Sequence, residues 1–275
     1  MSRPRPTAAV AAVFAATAVA LAQPPAAPPE PPFLSVRKGT MPVIISAPHG
    51  GTADLPGVPP RRGVGMPTGS NGFYTGRDPG TEELAAMLAV EVFLKTGKRP
   101  YLVAAKFHRR YIDANRPAEI GYESPKAKPT YDAYHDTLTA FCKEVQKKHG
   151  RGLLVDVHNQ ASFPDQVLRG THDGKTVGLL RQRFGEKAHT GPESFFGMLG
   201  KAGFKTYPAK LDGKEHAEFN GGYIVKTYGS GDFGMDAMQL EFGWMLTTPT
   251  SAPDTAAKVA DVIDQFHKLY LVDAK

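Results

Sequence analysis

The chain has a single cysteine, Cys142, so no internal disulfide can form. Cys142 also falls in an amphipathic helical pattern with Tyr134, Leu138, Phe141 and Val145, which reads as core packing and not as a nucleophile. After the N-terminal segment, no apolar run approaches the roughly 20 residues that a membrane-spanning helix needs. There is no stripe of lysine and arginine interleaved with aromatics. The formal charge of +6 therefore suits small anionic ligands better than nucleic acid. The run Lys147-Lys148-His149 closes a predicted helix, where cations complement the helix dipole. No internal repeat is present. What remains is an ordinary globular composition, 41% hydrophobic and 22% charged over 275 residues. That is enough for one large α/β domain.

The first residues have a different character. Arg3 and Arg5 form a basic start, Ala8 to Leu21 is an uncharged apolar run, and Ala20-Leu21-Ala22 gives a small-x-small cleavage pattern. Residues 1–22 thus read as a signal peptide, with Gln23 as the mature N-terminus and export to the periplasm or medium as the expectation. Residues 23–32, rich in Pro and Ala, read as an extended linker. Residues 33–275 form the single domain. No membrane association is expected once the signal is removed.

Within that domain, strand and helix patterns alternate. Val43 to Ala47 is a short apolar run, as in a strand buried on both faces. Gly80 to Thr96 has helical periodicity through Leu84, Leu88 and Val92 and is closed by Gly97. Tyr101 to Ala105 and Leu153 to Val157 are further buried strands. Thr130 to His149 is a helix ended by Gly150. Val177 to Phe184, Ser194 to Ala202 and Ala256 to Tyr270 read as helices. Tyr223 to Thr227 and Met238 to Phe242 read as late strands. The alternation predicts a mostly parallel sheet covered by helices on both faces. The Gly- and Pro-rich stretch from Gly50 to Pro79 interrupts it and reads as a loop over a site.

Polar residues gather where the buried strands end, the place where open α/β sheets bind ligands. His49 follows the first strand, Asp156 and His158 end the third, and Glu241 lies in the last. Two imidazoles and a carboxylate suit zinc, with water in the fourth place. Asp78, Glu82 and Glu83 are the candidates for the carboxylate. Asp78 has a competing reading as a helix N-cap before Pro79. Asp156 is placed to orient an imidazole from behind. His108 to Arg116 packs three arginines and Asn115 after the second strand. Arginine forks bind carboxylates bidentately, and an Arg or Asn can stabilise an oxyanion. His108, His135, His172, His189 and His216 read as structural, with His216 exposed.

These segments, taken in order, resemble the N-formylglutamate amidohydrolase family. The matching pieces are SAPHGG at 46–51, RDPGTEEL at 77–84, HRRYIDANR at 108–116, DVHN at 156–159, GGYI at 221–224 and QLEF at 239–242. The resemblance implies a three-layer α/β/α sandwich around a mixed, mostly parallel sheet, as in zinc carboxypeptidases. It implies zinc held by His49, Asp78 and His158, with Glu241 as general base and acid. Asn115 and Arg116 would grip a substrate carboxylate, and Arg110 would polarise the scissile carbonyl. The sequence departs from the carboxypeptidase pattern in one respect. Gly51 and Thr52 stand where a glutamate three residues after the histidine is usual, so the acidic ligand comes from farther along. The expected activity is hydrolysis of an amide bond in a small acidic N-acyl amino acid or peptide. An exported zinc carboxypeptidase or γ-glutamyl or cell-wall peptide hydrolase, and a non-catalytic module for an acidic ligand, are the alternatives.

Overall fold

The computed structural model describes Met1 and residues 32–67, 72–229 and 231–272. Apart from Met1, the proposed signal peptide lies outside the described residues, as does nearly all of the linker.

The fold is a mixed seven-stranded sheet with helices on both sides. The strands are β1 (Leu34–Arg37), β2 (Val43–Ala47), β3 (Tyr101–Ala105), β4 (Gly152–Gln160), β5 (Gln166–Gly170), β6 (Lys205–Tyr207) and β7 (Met235–Gly243). The helices are α1 (Thr81–Thr96), α2 (Ala118–Gly121), α3 (Lys128–His149), α4 (Gly178–Phe184), α5 (Lys187–Thr190), α6 (Phe195–Lys201), α7 (Tyr223–Tyr228) and α8 (Ala252–Phe266). Strand order across the sheet is β1-β3-β2-β4-β7-β5-β6. The central strands β3, β2, β4 and β7 run parallel. β1 is antiparallel to β3, and β5 is antiparallel to β7.

Period-2 alternation divides the core into two layers. Val43, Ile45 and Ala47 of β2 point with Leu153 and Val155 of β4 into a layer closed by α1, α6 and α8. Ile44, Val103 and Leu154 point the other way, against Tyr134, Leu138 and Phe141 of α3 and Ile224 and Val225 of α7. Every residue of β2, β3 and β7 is buried; β2 and β3 are the apolar runs such burial favours, whereas β7 also buries Asp236, Gln239 and Glu241. Cys142 is buried in the second layer, where burial pushes its thiol up to about 12.

Two sequence expectations change, and three strands were not anticipated. Tyr223–Tyr228 is a helix and not a strand. Its β-branched and aromatic residues favour a strand locally, but Ile224, Val225 and Tyr228 are buried as the helix packs on β7 and β4, with the Tyr228 hydroxyl reaching His135 of α3. β1, β5 and β6 carried no clear strand signal; they are short and lie towards the edges of the sheet. His216 is half-buried among Phe163, Tyr207 and Phe219, with ring centroids 5.2–5.7 Å away, and is not simply exposed.

One buried acid at the start of β7 makes stability depend on pH. Asp236 is 6% exposed and accepts the Leu180 N–H at 3.0 Å. Burial pushes its carboxyl up to about 6. The folded state therefore favours the neutral form. Its stabilising effect is complete below the ordinary carboxyl range near 3.8 and is lost as pH rises from there to about 6. Asp236→Asn keeps the acceptor and removes the charge. Urea unfolding should show the variant more stable by about 1–3 kcal/mol at pH 8. The gain should vanish by pH 4; equal curves at both pH values would contradict the assignment.

Candidate metal centre and cavity

Three adjacent parallel strands bring the polar residues to one edge of the sheet. β2 ends at Ala47, and Pro48 carries the chain to His49. β4 carries His158, and β7 carries Glu241 directly opposite it in register. Behind His49 the loop passes close to its neighbours. A Cβ at Gly50 would lie 2.3 Å from the Glu82 nitrogen, and one at Gly51 would lie 2.3 Å from the Lys106 carbonyl carbon. Only glycine allows that approach, which explains the His-Gly-Gly sequence. Asp78 is brought back to His49 by its own backbone, whose N–H donates to the His49 carbonyl at 3.0 Å. His49, Asp78, Asn115, Arg116, His158 and Glu241 all line one cavity of about 560 Å³.

Asp78 does not cap α1. The N-cap of that helix is Gly80, without a side-chain cap. Its carboxylate turns instead into the cavity, where Oδ2 lies 3.0 Å from His158 Nδ1 and 3.4 Å from His49 Nδ1. The two rings stand edge to face with centroids 4.9 Å apart. Glu82 is half-buried and Glu83 exposed; neither joins the group. Among the described residues, His49, Asp78 and His158 are the His/Asp cluster whose donor atoms all lie within 4.8 Å of one another.

The far side of each ring shows why this cluster suits a cation. His49 Nε2 lies 2.7 Å from Asp113 Oδ1, and His158 Nε2 lies 2.8 Å from Asp156 Oδ2. A carboxylate there can only accept, so each Nε2 carries a hydrogen. Both Nδ1 lone pairs then face the Asp78 oxygen. Three buried lone-pair donors converge, and only a proton or a cation can sit among them. The set of two imidazole nitrogens and one carboxylate oxygen, each imidazole backed by a second carboxylate, is the donor chemistry of zinc. The same crowding shifts the ionisation of His158 and Asp78 in opposite directions. Burial lowers the His158 imidazole, but Asp156, Asp78 and Glu241 outweigh it and hold it well above its ordinary value. Burial raises the Asp78 carboxyl, but His49, His158 and Arg109 together hold it far below the usual range.

Both supporting carboxylates are themselves anchored. Ser46 Oγ donates to Asp156 Oδ1 at 2.6 Å. With that hydrogen committed, the Tyr134 hydroxyl, 2.9 Å away, donates to Ser46. Arg109 donates through Nε and Nη2 to Asp113 Oδ2, at 2.9 and 2.8 Å. Burial raises the Asp113 carboxyl, but Arg109 and His49 hold it well below the usual range. Glu241 has the opposite fate. Burial pushes it up to about 7; His158 opposes the rise and Asp78 adds to it.

Arg110 does not join the site. Its guanidinium turns outward, to Asp54 at 2.5 Å and the Tyr111 hydroxyl at 2.9 Å, and it is not among the cavity residues. Arg109 takes the inward position, buried, with Nη1 3.6 Å from Asp78 Oδ1. Adjacent residues in a turn project to opposite sides, so the Arg-Arg pair alone cannot show which enters. Asn115 lines the cavity, but its Oδ1 accepts the Ile224 N–H at 2.8 Å, so much of its amide is used internally. Arg116 Nη1 donates to the Asn115 carbonyl at 2.9 Å. The sequence reading gave Asp113, Arg109 and Gln239 no role in the site, though an ion pair between Asp113 and one of the arginines is what the 108–116 stretch suggests and what Arg109 makes. A signal for the first two existed in their i,i+4 spacing; one for Gln239 lay in its period-2 relation to Glu241.

No protein-family model matches the sequence, and no curated protein matches it. The fold has counterparts among solved structures. N-formylglutamate amidohydrolase from Ralstonia eutropha superposes with a TM-score of 0.52 at 14% identity, covering 84% of this chain and 98% of that one. A gene product from Agrobacterium tumefaciens superposes with a TM-score of 0.57 at 13% identity, covering 87% of this chain and 96% of that one. At such identities the relationship is one of fold.

Proposed function

We propose that this protein is an exported, zinc-dependent amidohydrolase of the N-formylglutamate amidohydrolase kind. Its substrate on this reading is an N-acyl amino acid bearing a carboxylate. The observation that carries the reading is the convergence of the two Nδ1 atoms on Asp78, with Glu241 opposite His158 on the next strand. The fold shared with the Ralstonia eutropha enzyme supports it.

His49, Asp78 and His158 would hold the metal. Bound there, zinc would polarise the scissile carbonyl and lower the pKa of a water. Glu241 takes a proton from the attacking water and passes it to the leaving amine. Its buried carboxyl, opposite His158 in register and outside the metal-ligand cluster, is placed for both halves of that task. Arg116 supplies positive charge for the substrate carboxylate. Arg109 is committed to Asp113 and Asp78, so its part is to fix those two charges and not to bind substrate.

The size of the cavity favours a second reading of the substrate within the same chemistry. About 560 Å³ falls in the range that holds drug-sized ligands, more than a formylated amino acid fills. Its lining includes Tyr74, Phe219 and the chain's single tryptophan, Trp244, which is half exposed. A γ-glutamyl or cell-wall peptide would use that space.

Mature protein recovered from the periplasm or medium should carry close to one zinc per chain by elemental analysis. It should hydrolyse at least one of N-formylglutamate, N-acetylated amino acids or muropeptides, and lose that activity on chelation. Protein that binds carboxylates with neither metal nor turnover would instead be a binding module.

A further inference from the structure

We propose that Gln239 is the positioning residue that sets the orientation of the Glu241 carboxylate and ties it to the opposite wall of the cavity. This rests on the reading of Glu241 as the proton carrier. Gln239 sits two residues before Glu241 on β7, on the same face, and is 5% exposed. Its side-chain amide is fixed from both ends. The Gly222 N–H can only donate, and it meets Gln239 Oε1 at 2.8 Å. The amide oxygen therefore points to the 221–224 turn, and Nε2 must point the other way. There it donates to Glu241 Oε1 at 2.7 Å. That bond occupies one carboxylate oxygen and leaves Oε2 as the one free of it.

The same amide oxygen also receives Asn115 Nδ2 at 3.3 Å. Asn115 is fixed in turn, because its Oδ1 accepts the Ile224 N–H at 2.8 Å. Gly222 passes so close to Asn115 that a Cβ there would lie 2.2 Å from Nδ2. Three chain segments far apart in sequence thus meet at one glutamine: the turn before α7, the Asn115 loop and β7. A carboxylate that moves a proton in two directions must hold one orientation to within a fraction of an ångström. In this buried site the Gln239 amide supplies that restraint.

The test is a double-mutant cycle. Gln239→Met, close in length and volume, should lower kcat about 10- to 100-fold. KM should stay within about threefold, and zinc content should not change. The affinity for N-acetylglutamate, read from Trp244 fluorescence, should also be unchanged. In a Glu241→Gln background the same substitution should cost less than about twofold further, because the group it positions is already gone. An equal cost in both backgrounds, or a loss that appears in KM or in N-acetylglutamate affinity, would show a structural role and overturn the inference. If Glu241→Gln lowers turnover and Gln239→Met does not, the inference alone fails. If Glu241→Gln leaves turnover unchanged, the base assignment fails and takes the inference with it.

Discussion

Glu241→Gln should lower kcat by at least about a hundredfold while zinc remains bound. The argument starts from placement. Glu241 is buried beside His158 but is not a member of the His49–Asp78–His158 cluster. Replacing it removes a proton acceptor without removing a metal ligand. Glutamine has nearly the same shape and can still meet Gln239, so the surrounding packing survives. The measurement is steady-state kinetics alongside elemental analysis of the same preparation. Full turnover in a zinc-loaded variant would remove Glu241 from the chemistry.

His158→Ala should have the larger effect. Zinc should drop from about one per chain to a small fraction of that. Turnover should fall by a thousandfold or more, since metal activation is worth several kcal/mol and each 1.4 kcal/mol is about tenfold. The fold should survive with reduced stability. His158 stands between two buried carboxylates, Asp78 on one side and Asp156 on the other. Removing it leaves both short of a partner, a change that costs about 3–5 kcal/mol in comparable buried pairs. Asp156 keeps its bond from Ser46, which limits the damage. Urea unfolding and metal content report the two effects separately. His216→Ala, in the aromatic group around Phe163, should retain the metal and serves as the control. A His158→Ala protein that still binds zinc as tightly as the parent would refute the ligand set.

Much of this site was legible along the chain because it is built at the ends of buried strands. The apolar runs at 43–47 and 153–157 announce strands, and polar residues that follow such runs must emerge at the sheet edge. His49 and His158 were found in this way. Asp78 was harder, because an aspartate before a proline near a helix start also reads as a cap. Only the position of Gly80 as N-cap and the turn of the Asp78 side chain into the cavity separate the two readings. The choice between Arg109 and Arg110 was not legible. Nor was Asp113, whose part is defined by contact with His49, 64 positions away.

The amino-acid order alone therefore determined the alternation of elements, the buried central strands and the two imidazoles, since each follows from local periodicity and from what may follow a buried run. Tertiary structure decided which carboxylate faces the imidazoles, which arginine turns inward, and that 223–228 coils into a helix. It also decided the register that sets His158 beside Glu241. Those outcomes depend on groups brought together from distant segments, where burial forces every donor and acceptor to find a partner, and no local pattern carries that information.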